Sequence, residues 1–447
     1  MLFFHAFFAI HSLRDFMPIK TSRTFLGLFA LSLMTVATPV YAYLDPGTGS
    51  MLLSVFVGLA SSAYFFIRRL PAMLRSFLFR VRGGRAQRGA SIVFYAESAA
   101  YWNTFAPILQ ELAKKDVRVS YLTSDKNDPV FKEKWANIRA RYIGEGNTAY
   151  TSLGFVEADR MVLTTPGVDV LQIRRSPGVK KYIHVVHASA DIHSYKLFSF
   201  DYYDAIYCSG PHQVHSIRTL EKVRGTTPKE LPLLGCPYFD GLLEKKANSA
   251  ILREEKTILV APTWGRNGLL TRTGSLVPKL LARAGYHVIL RPHPQSWISD
   301  KRVMVQVQKD CEGDRRIEWD RDPNNFRSLS RASLLISDFS GVIFDYAFLF
   351  ERPVVTLGGT PKKECFEAWD LPHNAWELRI LKEIGVRLAD GKEGDLVSVV
   401  EDLLGRADQY QRIIRSIREQ YVVNFGRSGA LIAQALVDRL TKGKEKC

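Results

Sequence analysis

The chain has 447 residues, 46% hydrophobic and 24% charged, which excludes a disordered chain or a mini-protein and allows two domains of ordinary size. Five scattered cysteines (Cys208, Cys236, Cys311, Cys365, Cys447) form no CxxC pair, so neither a disulfide framework nor a thiolate zinc site is indicated and a reducing compartment fits. The net charge of +16 is uneven: residues 1–88 carry ten basic and two acidic residues, hence +8 of the total, and that placement beside apolar sequence reads as membrane-flanking rather than as a nucleic-acid footprint.

Two apolar runs open the chain, residues 25–42 and 51–67, on either side of the turn-forming stretch Leu44-Asp45-Pro46-Gly47-Thr48-Gly49-Ser50. Their 18 and 17 residues are near the lower length for crossing about 30 Å of hydrocarbon. The first reads equally as an anchor or as a cleaved signal, because Lys20 and Arg23 precede it and Val40-Tyr41-Ala42 has cleavage-site spacing. Met17 is an alternative start that would give this run a normal basic leader. Seven arginines (Arg68, Arg69, Arg75, Arg80, Arg82, Arg85, Arg88) follow the second run without an acidic residue until Glu97. By the positive-inside rule they place the rest of the chain on the cytoplasmic side of the inner membrane.

From Gly89 onward, short β-rich runs alternate with helical patterns, the signature of parallel sheets covered on both faces. Strands are expected at 91–95, 117–123, 160–164, 181–186 and 205–208, with a helix over 100–114. After a polar stretch around 244–255, a second cycle gives strands at 257–261, 287–291, 317–319, 333–337 and 354–357, with helices over 276–284 and 341–350. Three helices, 395–404, 407–421 and 428–440, close the chain. The expected organisation is a membrane segment and basic stretch (1–88), a Rossmann-like acceptor domain (89–245), a Rossmann-like nucleotide-donor domain (256–425) and a C-terminal helix and tail (426–447). Two doubly wound α/β domains facing a cleft form the arrangement called GT-B, in which ligands bind at the carboxyl ends of the strands.

Four loops that follow strands carry suitable chemistry. Strand 181–186 ends at His187, preferred over the neighbouring His184 and His193 as an imidazole suited to removing a hydroxyl proton. Strand 257–261 leads into Thr263 and Arg266, a hydroxyl and a guanidinium for a phosphate. The next strand ends in Arg291-Pro292-His293-Pro294, where two prolines hold the imidazole rigidly. The richest loop is Ser337-Asp338-Phe339-Ser340-Gly341-Val342-Ile343-Phe344-Asp345, in which a buried strand gives way to a helix N-terminus suited to a pyrophosphate. His212 and His215 lack the glutamate of HExxH, so no metal site is expected. Neither GxGxxG nor GxxxxGK[ST] is present, and no cofactor is indicated.

With these loops in this order, the chain resembles the CDP-glycerol glycerophosphotransferase family, the teichoic-acid polymerases and primases. The resemblance is carried by Ala261-Pro262-Thr263-Trp264, Arg291-Pro292-His293-Pro294 and the segment from Ser337 to Asp345. It departs at Val186-His187-Ala188-Ser189-Ala190, where the family has Trp-His-Gly-Thr-Pro, and at Ser340-Gly341, where the family has two serines. The resemblance implies transfer of glycerol phosphate from CDP-glycerol to a hydroxyl of a membrane-linked envelope glycan, releasing CMP. His187 would then be the base, with His293, Ser337, Asp338, Ser340, Gly341 and Asp345 at the donor. Two alternatives stay open: a glycosyltransferase of the same fold using a nucleotide sugar, and a non-enzymatic assembly factor for envelope polysaccharide.

Overall fold

The computed structural model describes residues 46–78, 91–322, 324–359 and 363–444. The chain divides into two units, Met1–Arg69 and Leu70–Cys447. The apolar run 25–42 and the arginines Arg80, Arg82, Arg85 and Arg88 lie outside the described residues. Helix α1 (Pro46–Leu78) takes up residues 46–50, which the sequence assigns to a turn. Proline tolerates the first helical position because its missing N–H would be unpaired there anyway and its φ is preset. The large apolar side chains along it, Leu53, Phe56, Leu59, Phe65, Phe66 and Ile67 among them, are exposed. Among the described residues no helix is long and apolar enough to cross a membrane. Residues 51–67 rise about 25 Å at about 1.5 Å per residue, less than the roughly 30 Å of a bilayer core. The span expected there is therefore not supported, and the segment is instead an exposed apolar stretch of a helix that runs on to Leu78.

In the second unit, β1 (Ile92–Ala96), β2 (Val119–Thr123), β3 (Ile138–Tyr142), β4 (Ala158–Leu163), β5 (Val179–Val185) and β6 (Ala205–Tyr207) form one sheet in the order β3-β2-β1-β4-β5-β6. The second sheet joins β7 (Thr257–Val260), β8 (His287–Leu290), β9 (Ile317–Trp319), β10 (Leu334–Ser337), β11 (Val354–Leu357) and β12 (Gly385–Leu388) in the order β12-β11-β10-β7-β8-β9. Neighbours in both sheets run parallel. Counted within its own sheet, each order is 3-2-1-4-5-6, the doubly wound arrangement. Strands β1, β2, β7, β10 and β11 are buried at every position, as apolar runs covered by helices on both faces must be.

Helix α2 (Trp102–Ala113) covers the first sheet, and α3 (Pro211–Arg224) follows β6. Helix α4 (Pro237–Ala247) carries the chain across: Cys236, Phe239 and Leu242 join the core of the second sheet. Helices α5 (Val342–Phe350) and α6 (Ala407–Tyr421) pack in that same core. The last helix, α7 (Ser428–Lys444), returns to the first lobe, where Ile432, Ala433 and Leu436 are buried among Phe105, Ile108 and Leu109 of α2. Gly429 permits this return, since a Cβ there would stand 2.7 Å from the ring of Pro107. The buried Arg160 guanidinium on β4 donates to the carbonyl of Leu436 and fixes the helix further along.

Candidate active site

In sheets of this order the strand sequence reverses between strands 1 and 4, and the crevice there is where ligands bind. For the second lobe the crevice lies between the loops after β7 and β10, and Asp338 joins them. Its carboxyl group, 1% exposed, accepts from the backbone N–H groups of Thr263 at 3.0 Å, Leu269 at 2.9 Å and Phe339 at 2.7 Å. Ser337 donates its hydroxyl to the carbonyl of Ala261 at 2.7 Å and is fully buried. Both side chains are thus consumed in shaping the crevice, which departs from the donor contacts expected of them. The reason is position: Ser337 is the last residue of a central strand, with the β7 backbone beside it.

Arg291 departs in the same way. Its guanidinium reaches Asp320 at 2.6 Å and the carbonyl of Asp322 at 2.7 Å, fastening β8 to the chain after β9 instead of facing a phosphate. His293, two residues on, is exposed, and its Nδ1 accepts the Gln295 N–H at 3.1 Å. That contact places the proton of the neutral ring on Nε2, leaving it as a donor. Partial desolvation by the surrounding loops holds this ring below the usual histidine pKa, with Asp338 acting in the opposite sense. The exposed Trp264 lies 6.3 Å from it, ring to ring, so the loops after β7 and β8 meet at one place. Thr263 is half-buried and Arg266 exposed on the same loop. Ser340 and Gly341 precede α5, and their carbonyls accept the N–H groups of Ile343 and Phe344 in its first turn at 3.2 and 3.1 Å. A Cβ on Gly341 would meet nothing within 4 Å, so the approach to this helix end is open.

Asp345, one turn into α5, faces inward. Tyr238 at the start of α4 donates to its Oδ2 at 3.3 Å, and burial pushes the carboxyl up to about 7. It therefore serves the join between α4 and α5 as a carboxyl group that is partly protonated near neutrality.

His187 stands just past β5 in the first lobe. Its ring lies 5.3 Å from that of Tyr101 and 6.0 Å from that of Tyr195, edge-on to both. Nδ1 is buried and makes no hydrogen bond, and desolvation lowers the ring's pKa to about 4. It is neutral at physiological pH with a lone pair available, the state a general base requires. The alternatives differ: His184 lies inside β5, fully buried, with its pKa lowered to about 3 by burial, while His193 is held by the carbonyl of His373 at 3.0 Å. Contacts of residues 236–238 connect the two lobes here. The Cys236 thiol points at the carbonyl of Val186, 3.9 Å away, and Tyr238 reaches Asp345.

Sequence reasoning missed several partners. Tyr101 sits at the carboxyl end of β1, at the crevice of the first sheet, and knowledge of the strand order would have pointed to it. The segment 363–377 between β11 and β12 gave no local signal. It nevertheless straps onto the first lobe: Glu367 donates its N–H to the carbonyl of Tyr195 at 2.7 Å and accepts from Ser199 N–H at 2.7 Å. Arg224 on α3 bonds Asp201, Glu367 and Asp370 together.

A family model for CDP-glycerol:poly(glycerophosphate) glycerophosphotransferase matches residues 88–358, more than half the chain and all of it from β1 to β11. No curated protein sequence matches the chain. Among solved structures, wall teichoic acid polymerase TagF is similar with a TM-score of 0.50 and 16% identity, over 85% of this chain and 99% of that one. A TagF variant soaked with CDPG gives 0.50 and 16%, over 84% and 98%. The UDP-GlcNAc 2-epimerase of Neisseria meningitidis, bound to UDP-GlcNAc, gives 0.52 and 12%, over 78% and 99%. At these identities the structural likeness speaks for the two-lobed fold, and the family match speaks for the chemistry. The chain is a transferase and belongs to the CDP-glycerol:poly(glycerophosphate) glycerophosphotransferase family.

Proposed function

We propose that this enzyme transfers glycerol phosphate from CDP-glycerol to a hydroxyl of a membrane-linked envelope glycan and releases CMP. The observation that carries the proposal is the neutral, unpartnered His187 ring at the end of β5. It takes the acceptor's hydroxyl proton as that oxygen forms a bond to the glycerol-bearing phosphorus. The bond from this phosphorus to the bridging oxygen breaks, and CMP leaves with the electron pair. Phosphoryl transfer of this kind depends chiefly on positioning and on neutralising charge. The Nε2–H of His293, the Ser340 hydroxyl and the N-terminus of α5 supply donors to the departing phosphate.

Helix α1 supports attachment to the membrane surface, with its exposed apolar side chains followed by Arg68, whose charge is drawn to anionic headgroups. The two lobes then work on the cytoplasmic side, where a nucleotide donor is available. Inside-out vesicles from cells carrying the chain, given a panel of nucleotide-activated donors, test the whole reading. CMP should be released from CDP-glycerol in the vesicle fraction. Release of UDP or GDP from a nucleotide sugar, or activity found only in sealed right-side-out vesicles, would overturn it.

The donor group is tested separately. His293→Ala combined with Ser340→Ala removes two side-chain donors from a site where each hydrogen bond to a charged group is worth about 1.5–3 kcal/mol. Donor affinity measured by calorimetry should fall ten-fold or more while the melting temperature stays near that of the parent, since neither side chain is in the core. Unchanged affinity in the folded double variant would remove both residues from the donor site.

A further inference from the structure

Outside the proposed active site, Asp191 and His193 of the first lobe meet His373 of the strap between β11 and β12. One ligand-type atom from each lies within 4.8 Å of the others. His193 sits 3.0 Å from the carbonyl oxygen of His373 through Nε2. A carbonyl only accepts, so the ring proton is on Nε2 and Nδ1 carries the lone pair. That Nδ1 makes no hydrogen bond, yet it faces Oδ2 of Asp191 at 3.4 Å, with the two side chains 6% and 2% exposed. Oδ2 also accepts the Trp376 backbone N–H at 3.3 Å, and the carboxylate charge favours a positive partner at this nitrogen, a proton or a metal cation.

One edge of the cluster has the spacing a metal ion needs. An edge of 3.4 Å is about that of a tetrahedron built on metal–ligand bonds of roughly 2.1 Å, the usual length for nitrogen and oxygen on zinc. The outer contacts suit one too: a ligating imidazole ordinarily gives its other N–H to a carbonyl, as His193 does here, and Ser216 Oγ lies 3.0 Å from Nε2 of His373. The ring of His215 is 4.7 Å from that of His373, within reach as a further ligand. A cavity of about 680 Å³, lined by Asp191, His212, His215 and His373 among others, gives an entry path.

We propose that Asp191, His193 and His373 bind a divalent transition-metal cation of the zinc class. Two imidazoles and one carboxylate favour such a borderline cation over magnesium or calcium, which prefer all-oxygen sites. The ligands come from both lobes, so the ion clamps the 363–377 strap onto the loop that also carries His187, four residues before Asp191. Sequence spacing could not reveal the cluster, because His373 lies 180 positions from His193.

Zinc chloride titrated into the chelator-stripped full-length protein, against a competing chromophoric chelator, tests the inference. One equivalent should bind and raise the melting temperature. His373→Ala and the more conservative His373→Gln, at a half-exposed position, should each weaken zinc at least ten-fold while the zinc-free proteins melt close to the parent. A weakened affinity in either folded variant supports the site. Absence of saturable zinc binding by the folded parent, as when a second proton on His193 fills the gap, would overturn it. So would unchanged stoichiometry and affinity in a folded His373 variant.

Discussion

His187→Ala should bind CDP-glycerol as the parent does and lose transfer by about 100- to 10,000-fold, the contribution of a positioned general base. The side chain stands at a strand end between Tyr101 and Tyr195, so its removal leaves a small void beside two rings and not a broken core. The pH profile gives a second readout. Burial lowers the ring's pKa to about 4, so the neutral, active form persists well below the 6.5 of a free imidazole. Activity limited by this residue should stay level as pH falls from 8 toward 5 and drop only on approaching 4. Linkage runs in the same direction: the unfolded ring takes up a proton near 6.5 and the folded ring does not until about 4. The stability contribution is therefore whole above 6.5 and is lost as pH falls toward 4. Near-parental transfer by a folded His187→Ala protein would exclude the base assignment, and a rate falling through a pKa of about 6.5 that the substitution leaves in place would assign that titration to another group.

Asp338→Ala should damage the second lobe more than any other single change among the residues discussed. The carboxyl group alone satisfies the N–H groups of Thr263, Leu269 and Phe339. Leaving buried donors without an acceptor costs about 1–3 kcal/mol each, so a loss of about 3–5 kcal/mol is expected after partial relaxation. For a lobe of this size that corresponds to a fall of roughly 10 °C in melting temperature, read by scanning calorimetry as earlier unfolding of the second lobe. Asp338→Asn keeps one acceptor oxygen and should fall between the two. A parental melting temperature for Asp338→Ala would show that the loop is held by other contacts.

The fold was legible where apolar runs were continuous. The buried strands β1, β7 and β10 appear in the sequence as Ile92-Val93-Phe94, Ile258-Leu259-Val260 and Leu334-Leu335-Ile336. The two strands the sequence concealed, β3 and β12, are both at sheet edges. β3 reads Ile138-Arg139-Ala140-Arg141-Tyr142 and is only partly buried, and β12 opens on Gly385, so neither has the apolar run of a central strand. At the site, the rule that function follows strand ends points to His187, His293 and Ser340 as candidates. It could not tell which side chains face the crevice and which face the neighbouring strand, the distinction that separates Ser340 from Ser337. Arg291 misleads for a related reason, since its partner Asp320 lies 29 residues away, beyond the next strand.

The return of α7 to the first lobe has a consequence for the order in which the chain folds during synthesis. The sheet of the first lobe is complete once β6 has left the ribosome, but the apolar face of α2 that receives Ile432, Ala433 and Leu436 stays uncovered until nearly the whole chain has been made. At ribosomal rates of about 5–20 residues per second, that interval is on the order of tens of seconds. The nascent first lobe therefore presents an unfinished hydrophobic surface throughout synthesis of the second, and it is during this window that a chaperone would find it.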